Sequence, residues 1–99
     1  MAKLYISEFE RMGNDGNGAV SQVAYAPEVA TQVVTYTTTT QSNAFASRTR
    51  FIRVHTDSIC SISIGADPTA TTSTARMAAD QTEYFAVVGG HKIAAVTNT

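Results

Sequence analysis

The chain has 99 residues, enough for one domain with one modest hydrophobic core. Its net charge of -1, with only 15% charged residues, provides no field to steer the whole chain to nucleic acid or an anionic membrane. No apolar run approaches the ~20 residues of a membrane-spanning helix, and a single cysteine, Cys60, excludes an intrachain disulfide framework.

Stability must then come from packing or from oligomerisation, and the low charge fits a surface packed against other surfaces. Thr, Val and Ile total 30 residues, while Leu occurs once, at Leu4. β-Branched side chains suit a pleated strand and lose rotamer freedom in a helix, so the chain reads as all-β.

In chain order, residues 3–7 form a short strand, and the start, acidic by Glu8, carries no signal-peptide core. The chain is thus expected to be made in the cytoplasm. Gly13-Asn14-Asp15-Gly16-Asn17-Gly18 is a loop, because Gly, Asn and Asp tolerate positive φ. Residues 1–18 as a whole read as an extended arm or loop region.

A strand is expected over 20–26, ending at Pro27, and a long extended segment over 28–40. There Val29 and Val33 face one way and Val34 and Tyr36 the other. Residues 41–47 are small and polar around Phe45. Over 49–56, Ile52 and Val54 share a face opposite Phe51, Arg53 and His55. Asp57 and Ser58 make a turn, and in 59–64 Cys60, Ile62 and Ile64 point one way, so 49–56 and 59–64 read as a hairpin. After a turn over 65–68 and a small-residue loop over 69–74, strands over 82–88 and 91–97 flank Gly89-Gly90 and read as a second hairpin. Six to eight short strands predict a single β domain over 1–99, a small antiparallel β-sandwich or jelly-roll-like barrel with long N-terminal loops.

Motifs for chemistry are missing. His55, Asp57, Cys60 and His91 are the candidate metal ligands, yet there is no Cys-x-x-Cys or His-Glu-x-x-His spacing. Cys60 shares the inward face with Ile62 and Ile64 and reads as a buried small hydrophobe. The 13–18 stretch lacks the Gly-Lys-Ser/Thr ending of a phosphate loop and the acidic residues of an EF-hand. No Gly-x-Ser-x-Gly elbow is present, and Glu8 and Glu10 sit beside the glycine-rich loop and make no convincing catalytic pair. No enzyme, metal or cofactor is expected.

Arg48, Arg50 and Arg53 lie within six residues in a chain with seven basic residues. They read either as a solvated strand end or as a contact to partner carboxylates. Without interleaved aromatics, nucleic-acid binding is not expected.

Three runs carry a resemblance. They are Arg50-Phe51-Ile52-Arg53-Val54-His55-Thr56-Asp57, then Ile62-Ser63-Ile64-Gly65-Ala66-Asp67-Pro68-Thr69-Ala70-Thr71, then Ala78-Ala79-Asp80-Gln81-Thr82-Glu83-Tyr84-Phe85. Together with the start Met1-Ala2-Lys3-Leu4-Tyr5-Ile6-Ser7, they resemble small virion proteins of tailed bacteriophages, in particular head decoration, or cement, proteins. The resemblance covers about the last half of the chain and transfers no catalytic residue. It implies a compact β fold bound to the outer capsid surface as a dimer or trimer, with the major capsid protein as partner. A neck, head–tail connector or tail-fibre component, and a carbohydrate- or host-surface-binding β module, are the alternatives. No membrane partner is expected. Dispersed tyrosines (Tyr5, Tyr25, Tyr36, Tyr84) and the absence of Trp count against the carbohydrate reading. The candidate partner contacts are Lys3, Tyr5, Phe9, Arg48, Arg50 and Arg53. Residues 3–9 are expected to add a strand to a neighbour's sheet edge.

Overall fold

In the computed structural model, residues 2–14, 17 and 20–98 are described. They form ten strands: β1 (Ala2–Phe9), β2 (Met12–Asn14), β3 (Val20–Ala24), β4 (Ala30–Tyr36), β5 (Thr40–Gln41), β6 (Phe51–Thr56), β7 (Cys60–Gly65), β8 (Ala75–Met77), β9 (Thr82–Ala86) and β10 (Lys92–Thr97). Every pairing is antiparallel. A front sheet has the order β4-β1-β6-β9, a back sheet β5-β10-β7-β8, and β2 and β3 form a separate two-stranded ribbon. Among the described residues no sheet closes into a barrel, which corrects that part of the expectation. No helix among the described residues is long and apolar enough to cross a membrane.

The period-2 pattern builds one core from both large sheets. Leu4, Ile6, Val34, Tyr36, Ile52 and Val54 come from the front, and Cys60, Ile62, Met77, Ile93 and Ala95 from the back. Phe45 joins them from the connection between β5 and β6. Val34 and Tyr36 face inward while Val33 is exposed, as alternation requires.

Both expected hairpins are absent. β6 pairs with β1 and β9, whereas β7 pairs with β10 and β8, so both edges of each are taken. The turn at Asp57 and Ser58 carries the chain from one sheet to the other. Asp57 Oδ1 accepts from the Lys3 backbone N–H at 2.8 Å. The buried Tyr36 hydroxyl sits 2.7 Å from Thr56 Oγ1 and 3.3 Å from the Ser58 carbonyl, to which it donates. These ties hold the corner against the front sheet.

The second expected hairpin fails for a backbone reason. Gly90 has φ +89, Gly89 has no positive φ, and the His91 N–H reaches the Val88 carbonyl at 3.1 Å. One positive φ, at the third residue, makes a type II turn, while the tight hairpin turn I′ needs two. β9 and β10 accordingly enter different sheets. Gly89 is needed for close approach, since a Cβ there would lie 2.5 Å from the Ser47 carbonyl oxygen.

Residues 1–18 do not read as an arm where they are described: β1 is an interior strand paired on both edges, and Gly13 and Asn14 belong to β2. Residues 15, 16 and 18 of the expected loop lie outside the described residues.

Glu8 follows Leu4 and Ile6 on the core side of β1 and is 2% exposed. Its Oε1 accepts from the Ala46 N–H and the Thr49 hydroxyl, each at 2.8 Å, and its Oε2 from Gln32 Nε2 at 3.4 Å. The placement corrects the sequence reading, which set Glu8 beside the glycine-rich loop. Replacing Glu8 with Ala orphans two donors, and leaving buried donors unsatisfied costs about 2–4 kcal/mol. Urea unfolding is expected to show a loss of that size for Glu8→Ala and a smaller one for Glu8→Gln, which keeps an acceptor oxygen.

Burial, opposed by the Thr56 hydrogen bond and reinforced by the Cys60 thiol, pushes the Tyr36 phenol up to about 12 from 10.0. Below pH 10 folded and unfolded chains both hold the proton, and the stabilisation is fully present. Between pH 10 and about 12 the unfolded chain ionises first, so this group's contribution to stability is lost as pH rises through that window. Urea titrations across that window are expected to fall more steeply for the native chain than for Tyr36→Phe.

Candidate interaction surface

The two large sheets treat their outer faces differently. At the centre of the back sheet the outward residues Ser61, Ser63 and Ala94 are small, flanked by Arg76, Val96, Gln41 and Lys92, and Ser61 and Ala94 are fully buried. Residues 66–74 lie across them. Gln41 Nε2 donates to Asp67 Oδ1 at 2.8 Å and to the Pro68 carbonyl at 2.9 Å. The Ala70 N–H donates to Thr39 Oγ1 at 3.1 Å, and Asn98 Nδ2 to Ser61 Oγ at 2.7 Å and the Thr72 carbonyl at 3.3 Å.

The front sheet carries larger side chains and remains open. Its register sets Val33, Tyr5, His55 and Thr82 in one row and Thr31, Ser7, Arg53 and Tyr84 in the next. Val33, Tyr5 and Tyr84 are 53%, 41% and 58% exposed. In a third row Phe9 stacks on Phe51, with ring centroids 5.2 Å apart. There the ribbon contributes Met12, Val23 and Ala24, which with Phe51 and Tyr84 line a cavity of about 330 Å³. Arg53 is half-buried opposite Tyr84, and its guanidinium has no hydrogen-bond or ion-pair partner among the described residues.

The sequence-derived contact residues divide. Lys3, Tyr5, Phe9 and Arg53 share the outer side of the front sheet, but Phe9 is buried beneath Phe51. Arg48 and Arg50 lie in the connection before β6. Arg48 Nη1 is 3.9 Å from Glu10 Oε1, and Arg50 Nη1 donates to the Ser47 carbonyl at 3.4 Å. An exposed pair such as Arg48 with Glu10 contributes only about 0–1 kcal/mol. Arg11 lies 4.1 Å over the Tyr25 ring beside them. Strand addition by residues 3–9 is ruled out by their position, because both edges of β1 are used within its own sheet. Sequence reading missed Val33, Tyr84, Met12 and Val23. It also took the tyrosines as dispersed, whereas Tyr5 and Tyr84 share a face.

Among the described residues no group of three His, Cys, Asp or Glu side chains can hold a metal ion. His55 Nδ1 is 2.7 Å from Thr82 Oγ1, and its Nε2 is 4.0 Å from Asp80 Oδ1. The order hydroxyl, imidazole, carboxyl is that of a hydrolytic triad, but such a triad needs a buried carboxyl in hydrogen-bond reach. Asp80 is 82% exposed and beyond that reach. Cys60 is fully buried, as its inward position in the alternation requires.

The contrast between faces has a stability signature. Tyr84→Ser and Val33→Ser, at side chains more than half exposed, are expected to cost no more than about 1 kcal/mol each, from the part that folding buries. Ala94→Leu must lift residues 66–74 and is expected to cost about 1–3 kcal/mol; urea titration compares the three. No family model matches the chain, and no curated protein or solved structure is significantly similar to it.

Proposed function

We propose that this chain is a non-catalytic binding module that docks on a larger protein assembly through the open face of its front sheet. The observation that carries the reading is the asymmetry of the faces: the centre of the back is covered by residues 66–74, while the front presents Tyr5, Val33, Tyr84 and an Arg53 with no partner among the described residues. Aromatic residues and Arg are the side chains that dominate protein interfaces.

The fold reading is a jelly-roll-like sandwich. Strands β4, β5, β6 and β7 form one arm of a folded ribbon, and β1, β10, β9 and β8 line up against them in that order. Pairing of β1 with β6 and of β10 with β7 then folds the ribbon into two sheets. The path is that of a jelly roll in which the closing strand, β1, stands first in the chain. Jelly rolls serve in viral shells and in lectins.

Combined with the resemblance of residues 50–85 to phage decoration proteins, this gives a specific reading. The protein is a virion structural protein on the outer capsid surface, held by the major capsid protein as a dimer or trimer. Binding the assembled shell and not its free subunits stabilises the shell by mass action. A neck, connector or tail-fibre position is the alternative location in the same particle.

Purified protein added to capsids of the parent particle lacking it is expected to restore occupancy, read by cryo-electron microscopy. Tyr84→Ser with Arg53→Ser is expected to lower apparent affinity at least about tenfold, since two interface anchors of more than about 1 kcal/mol each are removed. Density only at the portal vertex or tail, or full occupancy by the double variant, overturns the reading. Tyr5 and Tyr84 on one face favour a second reading, a glycan-binding surface. Glycan-array binding lost in Tyr84→Ser would support it; no bound glycan would remove it.

A further inference from the structure

We infer that two copies of this chain join through β4, edge to edge and antiparallel about a twofold axis at Val33, merging their front sheets into one. The inference goes beyond the docking reading and stands whatever the front face binds.

Of the four edge strands described in the two large sheets, β4 alone is long and free of charge and proline; residues 40–43 line a cleft beside it, and the Thr97 N–H takes the Thr37 carbonyl just past its end. β5 has two residues and β8 has three, with Arg76 exposed at its centre. β9 has five, carries Glu83, and has its Thr82 hydroxyl held by His55. β4 has seven residues, pairs with β1 without a bulge, and contains neither a charge nor a proline. The whole stretch 29–47 is uncharged. Edges are normally blunted by short length, Lys, Pro or a bulge, and an edge lacking all of these is a template for another strand.

The backbone directions are fixed by the neighbouring bonds. The Val29 N–H reaches the Glu8 carbonyl, and the Asp57 N–H reaches the Lys3 carbonyl. On β1, even-numbered residues therefore bond toward β4 and odd-numbered ones toward β6. It follows that Gln32 and Val34 of β4 bond inward, while the N–H and C=O groups of Thr31, Val33 and Thr35 point out of the sheet edge. All three residues are exposed, and a cleft of about 200 Å³ lined by Val33, Thr35, Gln41 and Asn43 runs beside them.

The edge is self-complementary. An antiparallel register centred on Val33 pairs Val33 with its own copy and Thr31 with the copy's Thr35, using every outward group of β4 on both chains. Shifting the register by two residues leaves some of them unpaired. No charge meets a like charge, and threonine and valine are good cross-strand partners. On the outer side, the row Thr82, His55, Tyr5, Val33 continues across the axis into its copy, so the exposed face doubles in width.

Sedimentation equilibrium from low to high micromolar concentration is expected to give a dimer. Val33→Pro removes an outward donor that β1 does not use, and Val33→Lys sets two cations at the axis. Each is expected to raise the dimer dissociation constant at least about tenfold, because a lost hydrogen-bonded pair or a facing charge is worth more than about 1.4 kcal/mol. Both variants are expected to keep the urea midpoint of the native monomer to within a small shift. In hydrogen exchange, the Thr31, Val33 and Thr35 amides are expected to gain protection on dimerisation, while those of Gln32 and Val34 are protected in both states. A chain that stays monomeric, a dimer indifferent to both substitutions, or edge amides that exchange freely within the dimer overturns the inference. Capsid occupancy is read in a separate assay, so failure here removes the edge-joined dimer and leaves docking by the front face standing.

Discussion

The Glu8 carboxyl group is the tie on which the connection between the two sheets depends. A polar side chain placed on the core side of an interior strand must be satisfied or it destabilises the fold. Glu8 has no cation within reach among the described residues, and its acceptors are filled by the Ala46 N–H, the Thr49 hydroxyl and the Gln32 amide. Gln32 in turn accepts from the Asn43 N–H at 3.0 Å and donates to the Asn43 carbonyl at 3.2 Å. Residues 43–49 are thereby fixed over one end of the core. Phe45 is driven into it, and the Phe45 N–H and C=O bond the His91 carbonyl and the Gly90 N–H. Arg50 is delivered between Phe9 and Val87, whose backbones it bridges. The close approach of Gly89 to Ser47 belongs to the same arrangement.

The opposite end of the core is closed by the same device with different chemistry. Tyr36, the last residue of β4, reaches across to Thr56 and Ser58 where the chain leaves the front sheet. The hydroxyl sets the turn and the ring fills the core. Both ends therefore use a side chain from the front sheet to hold a crossing connection. Neighbouring strands in such a fold come from distant parts of the sequence, so these ties replace the local order that tight hairpins would supply.

That distribution explains what the sequence revealed and what it hid. Alternation identified the inward faces at Val34 and Tyr36, at Ile52 and Val54, and at Cys60, Ile62 and Ile64, because period 2 is a local property of a strand. Pairing is not local. Gly89-Gly90 carries the composition of a hairpin turn, yet a single positive φ and the contact with Ser47 make it a crossing. Glu8 obeyed the alternation of Leu4 and Ile6, but residue type outweighed position in the reading. Two of its three donors, Ala46 and Thr49, lie some forty residues away, where nothing in the local pattern announces them. β2, β5 and β8 are two or three residues long and fall below any useful window. The open face brings together positions 5, 33, 53 and 84, while the arginines adjacent in sequence separate.

Side-chain size decides which face of the molecule remains available. Ser61, Ser63 and Ala94 make the centre of the back sheet's outer side shallow, between Arg76, Val96 and Lys92, so residues 66–74 can lie against it and bond through their backbone. Tyr5, Arg53 and Tyr84 stand off the front sheet and leave no comparable bed for a flat loop. What that surface can gain is bounded. Full burial of an apolar side chain stabilises by about 1.5–3 kcal/mol, so completing the burial of the partly exposed Tyr5, Met12, Val23, Val33 and Tyr84 yields roughly 4–8 kcal/mol. Association itself costs an estimated 4–15 kcal/mol. One front face is therefore a weak binder unless Arg53 finds a carboxylate or several faces act together. In the proposed docking, many copies on a repeating surface offset that weakness, because each occupied site raises the effective concentration of the next.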